Sequence, residues 1–131
     1  MIPTQYAPQV YSIFRMVFGL LFLMHGLQKL AGMFGGMGGN GGSVPVTSFF
    51  GVAGLIECTA GALILIGLFT RVAAFVASGM MAYAYLTVHQ PMAPWPIMNN
   101  GEPAVMNCFA FLYMAARGSG PWSADALRVK P

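Results

Sequence analysis

The stretch GVAGLIECTAGALILIGLFTR, residues 51–71, decides the fold of this chain. Nearly every position is apolar or small, and the stretch holds a single acidic residue, Glu57. A run of about 20 such residues has the length that a helix needs to cross a bilayer. The glycine at position 67 then breaks the run. The stretch therefore predicts a membrane-spanning helix that ends in a tight turn at residues 67–71.

The overall composition supports a membrane protein. Hydrophobic residues make up 57% of the 131 positions and charged residues only 7%, whereas a soluble domain has roughly 25% charged residues. So few charges cannot cover a globule with hydrated surface, while lipid tolerates an apolar exterior. The six Lys and Arg residues are scattered singly, so binding to nucleic acid is not expected, because that needs clustered cations.

Four apolar stretches predict an all-α bundle of four transmembrane helices in one domain, residues 1–131. The predicted spans cover residues 10–30, 49–69, 72–88 and 103–116. The last span is short and requires local thinning of the bilayer or neighbouring protein. Tight turns predict two antiparallel hairpins, and the glycine-rich residues 32–43 predict a flexible loop.

The positions of the basic residues predict the orientation. If both termini are cytoplasmic, Arg71, Arg117, Arg128 and Lys130 lie inside and Lys29 alone lies outside. The positive-inside rule favours this arrangement over its reverse. We therefore expect a multi-pass protein of the cell inner (plasma) membrane.

The first predicted helix carries basic residues on a face that also contains glycines. Arg15, Gly19, Gly26 and Lys29 share this face, and His25 lies at its edge. Small residues mixed with charges indicate a face turned towards other helices. The alternative for both basic side chains is that they extend to the membrane interfaces.

Glu57 lies inside the second predicted helix, with the small residues Ala53, Gly54, Ala60 and Gly61 as its helical neighbours. Such neighbours let another helix approach closely. A lone carboxylate at this depth would be costly, so it should be paired or protonated. A structural ion pair and a role with protons or substrate are equally favoured.

The third predicted helix has a polar stripe that runs its full length. Arg71, Ser78, Ala82, Tyr85 and His89 share this face, which we expect to point into the bundle.

The fourth predicted helix begins at Glu102 and Pro103, with Asn107 one turn deeper. A carboxylate at a helix N-terminus can simply cap it, and proline suits the first turn.

These residues predict a polar pocket at the outer end of the bundle. Its candidate catalytic residues are Glu57, Glu102 and His25, and its candidate substrate-binding residues are Arg15, Lys29, Arg71, His89 and Asn107.

The cysteines and histidines give weak indications of redox groups. Cys58 and Cys108 have neither a C-x-x-C spacing nor a zinc spacing, and they are best interpreted as core residues, although helical rise would allow contact. His25 and His89 could lie at similar depths, as haem ligation would require. We expect no metal site and no resident cofactor, with quinone as a conceivable substrate.

Several ordered motifs together resemble the DoxX family of small bacterial and archaeal four-helix membrane proteins. They are HGLQK at residues 25–29 with the preceding Arg15, the run at residues 54–71, and GSGPWSAD at residues 118–125. Cys58, Ala124 and the glycine-rich loop depart from the family pattern. The resemblance implies redox association, because relatives include the membrane part of an archaeal thiosulfate:quinone oxidoreductase, and others are implicated in membrane thiol complexes.

Three functions follow as hypotheses. The first is a redox-linked membrane subunit that binds a quinone or a small thiol or sulfur compound and receives electrons from a partner protein. The second is a non-catalytic accessory subunit of a larger energy-transducing complex, and the third is a proton or small-solute pathway. The expected partners are the lipid bilayer and a homo-oligomer or larger membrane complex.

Overall fold

The computed structural model describes residues 1–128, in which every regular element is a helix and no strand occurs. The helices are α1 (Ala7–Ala31), α2 (Phe49–Ile66), α3 (Thr70–Ala84), α4 (Glu102–Arg117) and the short α5 (Ala124–Arg128). A π-helical turn, Tyr85–His89, extends α3. Lys130, used above to predict orientation, lies outside the described residues.

Three helical segments within residues 1–128 are long and apolar enough to cross a membrane: Thr4–Ala31, Phe49–Ile66 and Thr70–His89. They coincide with the first three predicted spans. The second is shorter than predicted, because Gly67 takes a left-handed conformation (φ 73°) that ends α2. α4 has 16 residues, and α5 was not predicted.

The bundle has two ends, which we name by what they carry. At the loop end, α1 and α3 finish and α2 and α4 begin; at the termini end, the reverse holds. The closest packing joins α1 to α2 and α3 to α4, while α2 and α3 pack less closely. The tight turn at residues 67–69 therefore connects two helices, α2 and α3, that pack less closely than the pairs α1–α2 and α3–α4.

Glycines bring α1 and α2 into backbone contact. A Cβ atom added at Gly19 would lie 2.5 Å from the backbone nitrogen of Leu65, and one added at Gly61 would lie 2.5 Å from that of Leu23. Lipid provides no hydrophobic force between helices, so close van der Waals packing of this kind is a main source of their association.

Aromatic and small side chains fill the space between the two helix pairs. Phe22 of α1 and Phe111 of α4 are almost fully buried, with ring centroids 4.7 Å apart. Ala74 and Ala77 of α3 and Met114 of α4 have no exposed surface. This core joins the α1–α2 pair to the α3–α4 pair, through the contact of Phe22 with Phe111.

Arg15, on α1, connects this helix to the end of α2 and to the segment that follows α4. Its side chain is fully buried and donates hydrogen bonds to the carbonyls of Ile64, Leu65 and Trp122. The first two carbonyls belong to the last turn of α2, where the usual partners four residues later are missing; the Ile64 carbonyl also accepts from the N–H of Gly67 (3.2 Å). A guanidinium, with five donors in a fixed fork, suits several carbonyls at once.

The chain after α4 folds back to complete this end. Asp125 accepts hydrogen bonds from the backbone N–H groups of Phe69 (3.1 Å) and Thr70 (3.4 Å), and its own N–H donates to Gly67. A carboxylate that accepts the first N–H groups of a helix caps it. Asp125 therefore fixes the start of α3 from the far end of the sequence.

We expect Gly61→Ala to lower the stability of the protein in detergent by about 2 kcal/mol, because the new methyl group overpacks the contact with α1. Thermal unfolding followed by circular dichroism measures the change. Gly79→Ala is the matched control, since its Cβ would meet nothing within 4 Å. Equal stability of the two variants would contradict the close packing.

Candidate functional site

A cavity of about 590 Å³ lies in the loop-end half of the bundle and is lined by all four long helices. Most of its wall is apolar, with contributions from Phe22, Phe49, Ile56 and Met80. Its volume falls in the range of small-molecule sites, roughly 300–1,000 Å³.

The cavity brings together five of the eight residues that the sequence predicted for a site. They come from α1, α2, α4 and the π-helical turn: His25 and Lys29, Glu57, Asn107, and His89. These are an acid, a cation, two imidazoles and an amide, within walls that are otherwise apolar. The arrangement matches the usual make-up of a ligand site, in which few polar groups fix orientation.

Lys29 and Glu57 form an ion pair in the cavity wall. The Lys29 Nζ atom lies 2.8 Å from Oε1 and 2.6 Å from Oε2 of Glu57, so one ammonium group serves both carboxylate oxygens. The two side chains are only 14% and 5% exposed. Glu57 therefore has the partner that its depth requires, and the pair remains in contact with the cavity.

The small residues around Glu57 explain how Lys29 reaches it. A Cβ atom at Gly26 would lie 2.6 Å from the backbone nitrogen of Cys58, and one at Gly54 would lie 3.2 Å from Cβ of Lys29. With α1 and α2 this close, the long lysine side chain spans the remaining distance. The predicted close helix approach is present at Gly54 and Gly61, whereas Ala53 lines the cavity and Ala60 lies on the side of α3.

His25 lies one turn before Lys29 and lines the same cavity, but its side chain is largely exposed at the bundle surface. It therefore stands where the cavity meets the surroundings of the bundle. An imidazole in this position can both donate and accept hydrogen bonds.

The π-helical turn places His89. Its Nδ1 atom lies 3.0 Å from the carbonyl oxygen of Asn99. Because a carbonyl can only accept, Nδ1 carries the hydrogen, and a neutral ring then offers Nε2 as an acceptor. The ring of Tyr85 stacks beside it, with centroids 6.4 Å apart. π-Helical turns are often found at functional sites.

Asn99 supports this side of the cavity, and the sequence did not single it out as a site residue on its own. It is 1% exposed, its Nδ2 group donates to the carbonyl of Ala93 (2.8 Å), and its Oδ1 atom accepts from the N–H of Gly101 (2.9 Å). It thereby orders the connection between α3 and α4 and presents its own carbonyl to His89. The only sequence signal was an asparagine pair before a glycine, which is typical of turns.

Asn107 lines the cavity from α4, whereas Glu102 does not line it. Glu102 is exposed in the first turn of α4, next to the lining residue Pro103. This position suits the capping role considered from the sequence and leaves Glu102 beside the site.

Arg15 and Arg71 lie at the termini end, away from the cavity. Arg15 is occupied by backbone carbonyls, and Arg71 is exposed at the start of α3. Ser78, midway along the predicted stripe, donates to the carbonyl of Cys108 at 2.8 Å. The stripe on α3 is therefore divided between the two ends and the contact with α4.

Cys58 and Cys108 are not bonded to each other; both thiols are free. Cys58 packs against Gly26 of α1, while Cys108 contacts Ser78 of α3. Among residues 1–128, no group of three or more His, Cys, Asp or Glu side chains is arranged to hold a metal ion.

Comparison with known proteins places this helical membrane protein in a family. Residues 10–90 match the DoxX family, so the chain belongs to it. An uncharacterized protein of Haemophilus influenzae is 36% identical over 92% of both chains. An uncharacterized membrane protein of Mycobacterium tuberculosis is 29% identical over 90% of this chain and 80% of its own. No solved structure gives a significant match.

We expect Lys29→Met to cost about 3 kcal/mol of stability, because it leaves the Glu57 carboxylate buried without its partner. The double variant Lys29→Met/Glu57→Leu should recover most of this loss, since a buried pair can often be replaced by apolar groups. Thermal unfolding of both single variants and the double variant measures the coupling.

The exposed pair Asp125–Arg128, with a separation of 3.9 Å, provides a control for this cycle. Arg128→Met should change stability by less than about 1 kcal/mol. Strictly additive losses for Lys29→Met and Glu57→Leu would show that the two side chains do not interact.

Proposed function

We propose that this protein is a redox-associated membrane subunit that binds a quinone or a small thiol or sulfur compound in its loop-end cavity. The observation that carries the proposal is the Lys29–Glu57 ion pair within a largely apolar cavity of about 590 Å³. The pair borders a space large enough for a small molecule. An exchangeable ligand gives the pair a second partner.

The cavity offers the contacts that a quinone head group needs. Such a head is a flat ring with carbonyl oxygens that accept hydrogen bonds. The Lys29 ammonium and the His25 imidazole supply donors, and Phe22 and Phe49 supply apolar walls. An anionic sulfur compound would use the same ammonium group but would gain less from the aromatic walls.

Glu57 and His25 are the groups best placed to transfer protons. Reduction of a quinone to a quinol takes up two electrons and two protons. We assign the electrons to a partner protein. The two protons come from water and reach the ligand through the Glu57 carboxylate and the His25 imidazole, each of which takes up a proton, passes it on and returns to its starting state. Glu102, exposed near Pro103, would exchange protons between the cavity mouth and water.

The arrangement that fits this function is a protein of the inner membrane with four transmembrane helices. Both of its termini lie in the cytoplasm. α4 is about 24 Å long at 1.5 Å per residue, shorter than the roughly 30 Å hydrocarbon core. It packs antiparallel to α3, with Phe111 and Met114 fully buried. This packing supports α4 as a fourth span that relies on its neighbour.

A non-catalytic accessory subunit is a second candidate, favoured by the exposed apolar surface of α3 and α4. Phe75, Met106, Phe109 and Tyr113 are all more than half exposed on α3 and α4. Aromatic and methionine side chains are common at protein interfaces. The same surface could also receive the partner that provides electrons, so the two candidates differ in whether the cavity itself is used.

We expect Glu57→Gln and His25→Ala each to lower inhibitor-sensitive quinone reduction in membranes at least about tenfold, because each removes a proton-transfer group. Turnover is measured at matched protein levels, with Val17→Ala, on the exposed face of α1, as the control. Unchanged turnover in both site variants would reject a catalytic cavity and favour the accessory role.

The topology is testable by cysteine labelling from one side of the membrane. In a background without Cys58 and Cys108, Asn40→Cys in the loop at the loop end should react with a membrane-impermeant maleimide added to intact cells. Ser119→Cys, at the termini end, should react only after the cells are opened. The reverse pattern would overturn cytoplasmic termini.

A further inference from the structure

A second concave surface runs along the outside of the bundle between α2 and α3. This α2–α3 groove has a volume of about 530 Å³, and its walls are formed by Leu55, Thr59, Leu63, Phe69 and Val72. Ala60 and Ala73 lie at its floor, where both are almost fully buried. Apart from the Thr59 hydroxyl, which donates to the carbonyl of Leu55, the lining side chains are hydrocarbon.

The groove adjoins the loop-end cavity. Ile56 and Val76 line both spaces, one from α2 and the other from α3. Glu57 follows Ile56 directly on α2, so the ion pair of the cavity lies close to this shared wall. From Leu55 to Leu63 the groove extends about 12 Å towards the termini end, at 1.5 Å per residue.

The packing of the helices explains why this space exists. α1 is held against α2 by glycine contacts, and α4 is held against α3, whereas α2 and α3 pack less closely and have the small residues Ala60 and Ala73 at the floor of the groove between them. Small side chains without a close backbone approach leave a slot. Its walls are exposed, as Val72 (67%) and Phe69 (54%) show, so it opens sideways in the region that lipid surrounds.

We propose that the cavity and the α2–α3 groove together form one site for a head-and-tail molecule from the membrane. Its hydrogen-bonding head lies in the cavity beside Lys29 and Glu57, and its apolar tail lies along the groove. This inference rests on the proposed function and narrows it to a lipid-soluble ligand with a hydrocarbon or prenyl chain, such as a long-chain quinone. A small water-soluble thiol would leave the groove unused.

The wall shared with the polar cavity favours a tail over a helix from a second copy of the chain. A helix packed on the groove would cover Ala60 and Ala73 but would bring no group to the Lys29–Glu57 pair. A flexible chain attached to a polar head fills both spaces at once. It also enters from the bilayer without crossing water.

The experiment compares two probes that share a head group: a benzoquinone without a side chain and the same benzoquinone with a ten-carbon side chain. Binding is measured with the full chain in phospholipid nanodiscs of fixed composition, so that competing lipid tails are constant. Val72→Trp and Thr59→Trp each place an indole in the groove, and either variant serves if the other does not fold. Val17→Trp adds the same bulk to an exposed valine position on α1, outside the groove.

The expected result is that both groove variants weaken binding of the long-chain quinone at least about tenfold and bind the tail-less quinone as the wild type does. Val17→Trp should bind both probes with wild-type affinity. If the groove variants bind both probes as the wild type does, the tail does not use the groove and the inference fails, while binding of the tail-less quinone continues to support the cavity as the site of the head group.

Two other outcomes would overturn the proposed quinone site or the assignment of the groove to a tail. If the wild type binds neither probe, the proposed quinone site itself fails. If the groove variants instead convert a wild-type dimer into a monomer, measured by mass photometry of the nanodiscs, the groove is an interface between copies, and the tail assignment is wrong.

Discussion

The contact on which the structure depends is the backbone-to-backbone approach of α1 and α2. Gly19 and Gly61 remove the side chains that would hold these helices apart. Once the helices are close, Lys29 can reach Glu57 at one end and Arg15 can reach the last carbonyls of α2 at the other. In lipid, where apolar surfaces gain nothing by leaving the solvent, this combination of close packing and buried polar contacts holds the bundle together.

The same approach accounts for the position of the candidate site. α2 makes its closest contacts with α1 and packs less closely against α3, where the small residues Ala60 and Ala73 lie at the floor of the groove. The cavity and the α2–α3 groove lie on this less closely packed side. Glu57 lies at the boundary, with Lys29 beside it and the cavity in front of it. The close packing of α2 on α1 and its looser packing on α3 therefore account both for the stability of the α1–α2 pair and for the space in which a ligand could bind.

Much of this was predictable from sequence, and the part that was not has a physical reason. Hydropathy identified the three confirmed spans, and the small residues around Glu57 predicted a close partner, which is Lys29. The contacts of Arg15 were not predictable, because its acceptors are main-chain carbonyls that every residue possesses. The position of His89 depends on a π-helical turn and on Asn99, which helical periodicity at 3.6 residues per turn does not describe.

The buried guanidinium of Arg15 also imposes an order on biosynthesis. The chain is made from its N-terminus, so Arg15 enters the membrane in α1 before Ile64 and Leu65 exist, and Trp122 follows only near the end of translation. Until then the side chain must keep its hydration, which its place near the termini end allows by extension to the interface. Insertion of α1 and burial of Arg15 are thus separate events. A chain that ends before Trp122 lacks one of the three carbonyls that Arg15 binds in the complete bundle.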